Sequence, residues 1–334
     1  MEAGSYPPEI RSGYNTHPPP RGPPPGMPHT LRFATLAGVG VLLVCLISPV
    51  VVVALDAAGL ELSAYRVWER LGLVALTVAA ILAAPRRARL RAEERAFSPA
   101  RGWLRETATG FIGALLLALM LVGWLVLLGF MRFSVDFNWA DDGLMLVLIA
   151  PLGALTVAFI EEWIFRQHLL NAFRRDGGTA FAVLASSLAF ATVHFFHVSR
   201  STPAPEDSPL LGVAVLGTFL GNVLDHEAQL AFVGVFLLST VFALARLLTG
   251  RLYLAIGLHA GFVFFNRVDG PFTSWNLQEL TIWNGYRQYA AGLPGWIVFA
   301  SAAGLLAFLI RRRGRQLLSL PAPAPIPVPY DSKQ

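Results

Sequence analysis

Apolar runs close to 20 residues long, the length that crosses a bilayer as a helix, recur along most of the chain. They fall near 33–55, 70–85, 108–131, 143–170, 179–197, 229–248, 251–266 and 293–310. The pattern predicts an all-α fold, a polytopic membrane helix bundle of about eight transmembrane helices around a buried polar cavity. The second run is short. Tyr65 and Trp68 ahead of it suit an interfacial belt, so its helix is expected to begin near them. The seventh run is also short and abuts a turn at Gly250. One more apolar stretch, "LLGVAVLGTFLGNVL", lies inside the loop 198–228. It is too short to cross and reads as a re-entrant or surface-lying helix.

Composition supports the membrane reading. Of 334 residues, 55% are hydrophobic and 14% charged, against about 25% charged in a soluble domain. The net charge of +5 does not indicate nucleic acid, because the arginines sit in short loops between apolar runs. Seven fall in "PRRARLRAEERAFSPARGWLR" after the second run. Arg174 and Arg175 follow the fourth, Arg246 and Arg251 lie between the sixth and seventh, and "RRRGR" follows the eighth. The alternate loops, with "DFNWADD", "PEDSP" and "DHE", are acidic or mixed. The positive-inside rule then places both termini in the cytoplasm of a cell (inner) membrane protein, in agreement with an even number of crossings. Residues 1–30, with "HPPPRGPPPGMPH", read as a disordered proline-rich tail, 31–312 as the transmembrane domain, and 313–334 as a basic then proline-rich tail. The lone Cys45 excludes an intrachain disulfide and a cysteine-cluster metal site.

The fourth run breaks the apolar pattern. "ALTVAFIEEWIFRQHLL", 154–170, carries Glu161, Glu162, Arg166 and His168. An ionisable group at membrane depth costs several kcal/mol unless it is paired or wet. Two other runs carry polar residues at depth: "FATVHFFH" with His194 and His197, and "IGLHAGFVFFN" with His259 and Asn266. At a rise of about 1.5 Å per residue, Glu161 lies roughly 20 Å from Arg174, His194 about 24 Å from Gly178, and His259 about 12 Å from Arg251. Antiparallel neighbours would therefore bring Glu161 and His194 to one layer, with His259 joining if its helix starts deeper. Glu162 and Arg166, four apart, share a helix face and can pair. Glu161 points about 100° away and is left free to act as a general base on water. Two histidines at its depth could position that water and stabilise an oxyanion. Lone histidines such as His168, His197 and His226 are read as interhelical hydrogen-bond partners. The same residue types also build the proton relays of a proton-coupled transporter, or could persist in a non-catalytic scaffold.

The motifs resemble those of a known family. "EEWIFR" is similar to the EExxxR motif of the CPBP (CAAX protease, or Abi) family, bacterial relatives of the Ras-converting CAAX endopeptidases. "FATVH", Phe190 to His194, resembles its FxxxH motif, and "LYLAIGLHAGF", with His259, its third. The resemblance covers about residues 140–270. It implies an intramembrane endopeptidase acting on a membrane-associated protein or peptide in the lipid bilayer, with no nucleic-acid partner. By it, Glu161 is the catalytic base, His194 its partner and His259 part of the oxyanion-stabilising set, with Glu162 and Arg166 as support. The chain departs from the family at Val263, where an asparagine four residues after the histidine is usual. Asn266, two turns from His259 on the same face, is the candidate substitute for oxyanion support. Two histidines and a carboxylate could bind zinc, but the HExxH spacing of a zinc protease helix is missing, so neither metal nor cofactor is expected.

Overall fold

The computed structural model describes residues 27–60, 62–83, 102–134, 136–194, 208, 210–222, 225–276, 281–285 and 288–318. The loop 84–101, His197, most of the N-terminal tail and all of 319–334 lie outside the described residues.

Helix α1 (His29–Ala57) starts directly after Pro28, a residue suited to a helix entrance. Its first turn is capped from a distance. The Asp176 carboxylate accepts from His29 N at 3.1 Å, Thr30 N at 2.6 Å and Thr30 Oγ1 at 2.5 Å. The helix thus begins inside the stretch the sequence assigns to the tail. Helix α2 (Ala64–Ala83) returns alongside α1 and starts next to Tyr65, ahead of its apolar run. Helix α3 (Trp103–Leu127) leads to β1 (Met131–Phe133). A long helical path follows: α4 (Trp139–Leu144), a π-turn (Met145–Ile149), α5 (Ala150–Glu162), a second π-turn (Trp163–Leu169) and α6 (Leu170–His194). Gly178, at φ 77° and ψ −173°, breaks α6 and folds its second arm back on the path. Helix α7 (Leu211–Asn222), in the loop read as non-crossing, is about 18 Å long and packs on α1. Asp225 caps α8 (His226–Thr249), accepting from Glu227 N and Ala228 N. Gly250, at φ 73°, ends that helix and lets α9 (Tyr253–Val268) begin almost at once. Strand β2 (Thr273–Trp275) pairs antiparallel with β1, Met131 opposite Trp275, and so ties the far ends of α3 and α9. Helix α10 (Leu293–Leu318) continues through the basic cluster read as tail. Arginine is a good helix former and sits well at a helix C-terminus.

Among the described residues, five helical units are long and apolar enough to cross a membrane: α1, α3, the folded unit 142–194, α8 and the 293–314 part of α10. Helix α9, with 16 residues, is a shorter apolar helix. Rows such as Leu42, Leu46 and Val50 of α1 face outward, as lipid-facing positions do.

Helices α3 and α9 make the most intimate contact. A Cβ on Gly257 would strike the Thr107 carbonyl, and one on Gly261 would lie 2.7 Å from the Phe111 carbonyl oxygen. Small residues let two backbones approach where lipid provides no hydrophobic drive. This contact fixes α9, the carrier of His259, against the body of the bundle. The main core joins α3, α6, α8, α9 and α10, and takes in Phe33 of α1 with Ala79, Ala80 and Ala83 of α2. Farther along, α1 and α2 form a separate core with α7 around Trp68 and Leu211. The hairpin α1–α2 is thus rooted in the main core at one end and diverges from it at the other.

Candidate active site

The second π-turn carries Arg166 and His168 and follows directly on Glu161 and Glu162, the last two residues of α5. Ile164 to Leu170 are buried without a gap, which one face of a helix cannot achieve, so the turn is enclosed on all sides. It contacts α2, α6 and α8. π-Bulges recur at functional sites because the extra residue re-aims side chains.

The two glutamates diverge as their 100° offset requires. Glu162 is fully buried. Its Oε1 accepts from His259 Nδ1 at 3.1 Å, and its Oε2 lies 3.4 Å from Arg166 Nε. Arg166, also fully buried, donates from Nη2 to the Ser239 carbonyl at 3.1 Å and to Ser239 Oγ at 2.9 Å. Its guanidinium lies over the Phe190 ring at 5.0 Å, flanked by Phe165 and Phe242. Aromatic faces and a carboxylate together replace the water this cation has lost.

Glu161 keeps 17% of its side chain exposed and faces a cavity. Its Oε2 lies 3.6 Å from His194 Nε2 and 3.8 Å from His259 Nε2. Each imidazole is held from behind. His194 Nδ1 bonds the Phe190 carbonyl at 2.9 Å, and its ring stacks on Phe190 at 4.2 Å. The His259 ring stacks on Phe242 at 4.8 Å. The partners of both Nδ1 atoms, a carbonyl and a carboxylate, are acceptors. Both Nδ1 atoms therefore carry protons, and in a neutral ring Nε2 presents a lone pair. Three acceptors, Glu161 Oε2 and two Nε2 atoms, then converge at separations too long for direct hydrogen bonds. Such a cluster suits a shared proton or a donor such as water.

The cavity measures about 520 Å³. Helices α1 and α2 wall it with Val41, Val44 and Trp68, opposite Glu161, His194 and His259. Val263 and Asn266 also line it, with Arg70 and Arg267 farther along. The structure thus brings together Glu161, Glu162, Arg166, His194 and His259, with Asn266 on the wall of the same cavity. His168 is buried edge-on against Trp163 at 4.5 Å and does not line the cavity. His226 opens α8 as an exposed residue. Ser239, Phe190 and Phe242, which hold Arg166 and the imidazoles, were not singled out for these roles from sequence. The signal for Ser239 was a lone hydroxyl pair in "FLLSTVF". Among the described residues, no three histidine, cysteine, aspartate or glutamate side chains are grouped as metal ligands.

Residues 143–265 match the family model described as Rce1-like, type II CAAX prenyl endopeptidase. No curated protein and no solved structure matches the chain. The matched segment contains the whole Glu161, Glu162, Arg166, His194, Ser239 and His259 arrangement, ends one residue before Asn266, and leaves α1 and α2 outside. Over residues 143–265 the chain is similar to the Rce1-like type II CAAX prenyl endopeptidases.

Proposed function

We propose that this protein is an intramembrane endopeptidase that hydrolyses a peptide bond of a membrane-associated protein or peptide, with Glu161 as the base that activates water. The convergence of Glu161 Oε2 with two imidazole Nε2 atoms at 3.6 and 3.8 Å, facing the cavity, carries this reading. A water on the cavity side of these atoms donates to Glu161 and to His194. As its oxygen bonds to the substrate carbonyl carbon, Glu161 takes the proton. The proton the cluster shares, held on His259 Nε2, is donated to the resulting oxyanion, while Glu162 holds the Nδ1–H of the ring. The Asn266 amide is the second donor, in place of the family asparagine at Val263. Collapse of the tetrahedral intermediate breaks the C–N bond, and Glu161 returns its proton to the leaving amine. Arg166 holds Glu162 in place. The loop arginines support an orientation with both termini cytoplasmic.

The test uses full-length protein in lipid nanodiscs with a library of membrane-inserting, internally quenched peptides, its products identified by mass spectrometry. Wild type is expected to cleave, and Glu161→Gln to fall by about 10²–10⁴-fold, the usual contribution of a positioned base. Full cleavage by Glu161→Gln would overturn the assignment.

A further inference from the structure

A second cavity, of about 370 Å³, lies on the other side of Asn266, between α3, α8, α9, β2 and α10. Asn266 lines both cavities. Five aromatic side chains line the second cavity: Phe262, Phe265, Trp275, Tyr289 and Phe299. Phe265 and Tyr289 meet at 5.2 Å and 61°, and Trp275 and Tyr289 at 5.6 Å and 40°. Pairing of β2 with β1 fixes Trp275 in this place. One carboxylate, Asp269, faces the same space, its Oδ2 accepting from Tyr289 OH at 2.6 Å. Among the described residues, no basic side chain is paired with Asp269.

A carboxylate among aromatic faces has the composition of a site for an organic cation, since the rings offer negative faces and the carboxylate a charge-assisted hydrogen bond. The arrangement is unfavourable while empty of charge: burial holds the Asp269 carboxyl above the usual carboxylate range. A bound ammonium or guanidinium group relieves that cost. A latch between Tyr289 and Asp269 alone would need no cavity beside it.

Taking the protease reading as its basis, we infer that this cavity is a subsite for a basic side chain of the substrate, about three residues from the cleaved bond. The distance follows from α9. Asn266 lies seven residues beyond His259, about 10 Å along the helix, and an extended peptide advances about 3.3 Å per residue. A peptide lying over Asn266, with its reacting carbonyl at His259, delivers its third side chain to Trp275, Tyr289 and Asp269.

Two measurements test the inference. In the first, one lysine is moved through each position of a cleaved peptide and compared with norleucine. The lysine peptide should be preferred by about tenfold or more in kcat/KM at one position, about three from the bond. In Asp269→Asn the lysine-to-norleucine ratio should fall toward one, and in Asp269→Arg the preference should turn to glutamate. A flat profile in wild type, or the same ratio in wild type and Asp269→Asn, overturns the subsite. A lipid amine as the occupant would give that flat profile. In the second, Nα-acetyl-lysinamide is titrated into the full-length protein, with Trp275 fluorescence taken as the difference between wild type and Trp275→Phe. A saturable change, weakened about tenfold in Asp269→Asn, is expected, and its absence overturns the subsite without any proteolysis. Wild type that cleaves no peptide would instead refute the protease reading, and the titration then decides the subsite alone.

Discussion

Replacing Arg166 with methionine should destabilise the fold severely, and through one identifiable cause. Methionine keeps much of the volume and can still pack on Phe165, Phe190 and Phe242. Two hydrogen bonds to Ser239 are lost, and Glu162, fully buried, keeps only His259 as a partner. Breaking a buried ion pair by removing one member costs about 3–5 kcal/mol, mostly because the other charge is left uncompensated. Since His259 can share the charge, the loss is expected at about 3–4 kcal/mol. Removing both charges should cost less than removing one. Glu162→Gln/Arg166→Met is therefore predicted to recover about 2 kcal/mol relative to Arg166→Met. Unfolding in mixed micelles with increasing sodium dodecyl sulfate, followed by circular dichroism for wild type, both single variants and the double variant, measures the cycle. Additive losses, or Arg166→Met within about 1 kcal/mol of wild type, would refute the account of Arg166 as the compensating charge of the site.

Other outcomes follow from the same geometry. Gly257→Val should push α9 away from the Thr107 carbonyl, lower stability by about 1–3 kcal/mol and reduce peptide cleavage by displacing His259; parallel unfolding and activity assays check this. Asp225→Ala removes the acceptor for Glu227 N and Ala228 N and should cost about 1 kcal/mol in the same unfolding assay. Glu106→Gln breaks a partly exposed pair with Arg251 and should change stability by less than about 1 kcal/mol. Burial raises the Asp269 carboxyl above its unfolded value, so the folded state holds a proton the unfolded chain has released. Stability should be full below the ordinary carboxylate range and decline as pH rises through the raised value. Asp269→Asn should flatten that dependence in unfolding curves recorded from pH 4 to 8.

Much of the site was legible because helix geometry converts sequence spacing into depth. Glu161 and His194, counted from Arg174 and Gly178, were expected at nearly the same layer, and their side chains lie 3.6 Å apart. The i,i+4 spacing of Glu162 and Arg166 gave the ion pair, and their neighbour offset gave Glu161 its different direction. His259 was harder to place. It lies only six residues into α9, which begins at Tyr253, and yet it meets Glu161, so the Gly250 turn sits closer to this layer than the Gly178 turn. What holds the site was hidden, because Phe190 and Phe242 in apolar runs look the same whether they face lipid or carry a guanidinium. The π-turn at Trp163–Leu169 leaves no periodic trace over so short a length. The walls given by α1 and α2, and the pairing of β1 with β2, are contacts between distant segments that no local pattern encodes.

The central claim, hydrolysis of membrane-associated protein by water activated at Glu161, is tested most directly in the native membrane. Wild type and Glu161→Gln would be compared by mass spectrometry of the membrane proteome, with every C-terminal and transmembrane peptide quantified at matched expression of the two proteins. The account predicts a defined set of cleaved products in wild type and accumulation of their uncut precursors in Glu161→Gln. Identical peptide profiles from the two membranes would contradict it.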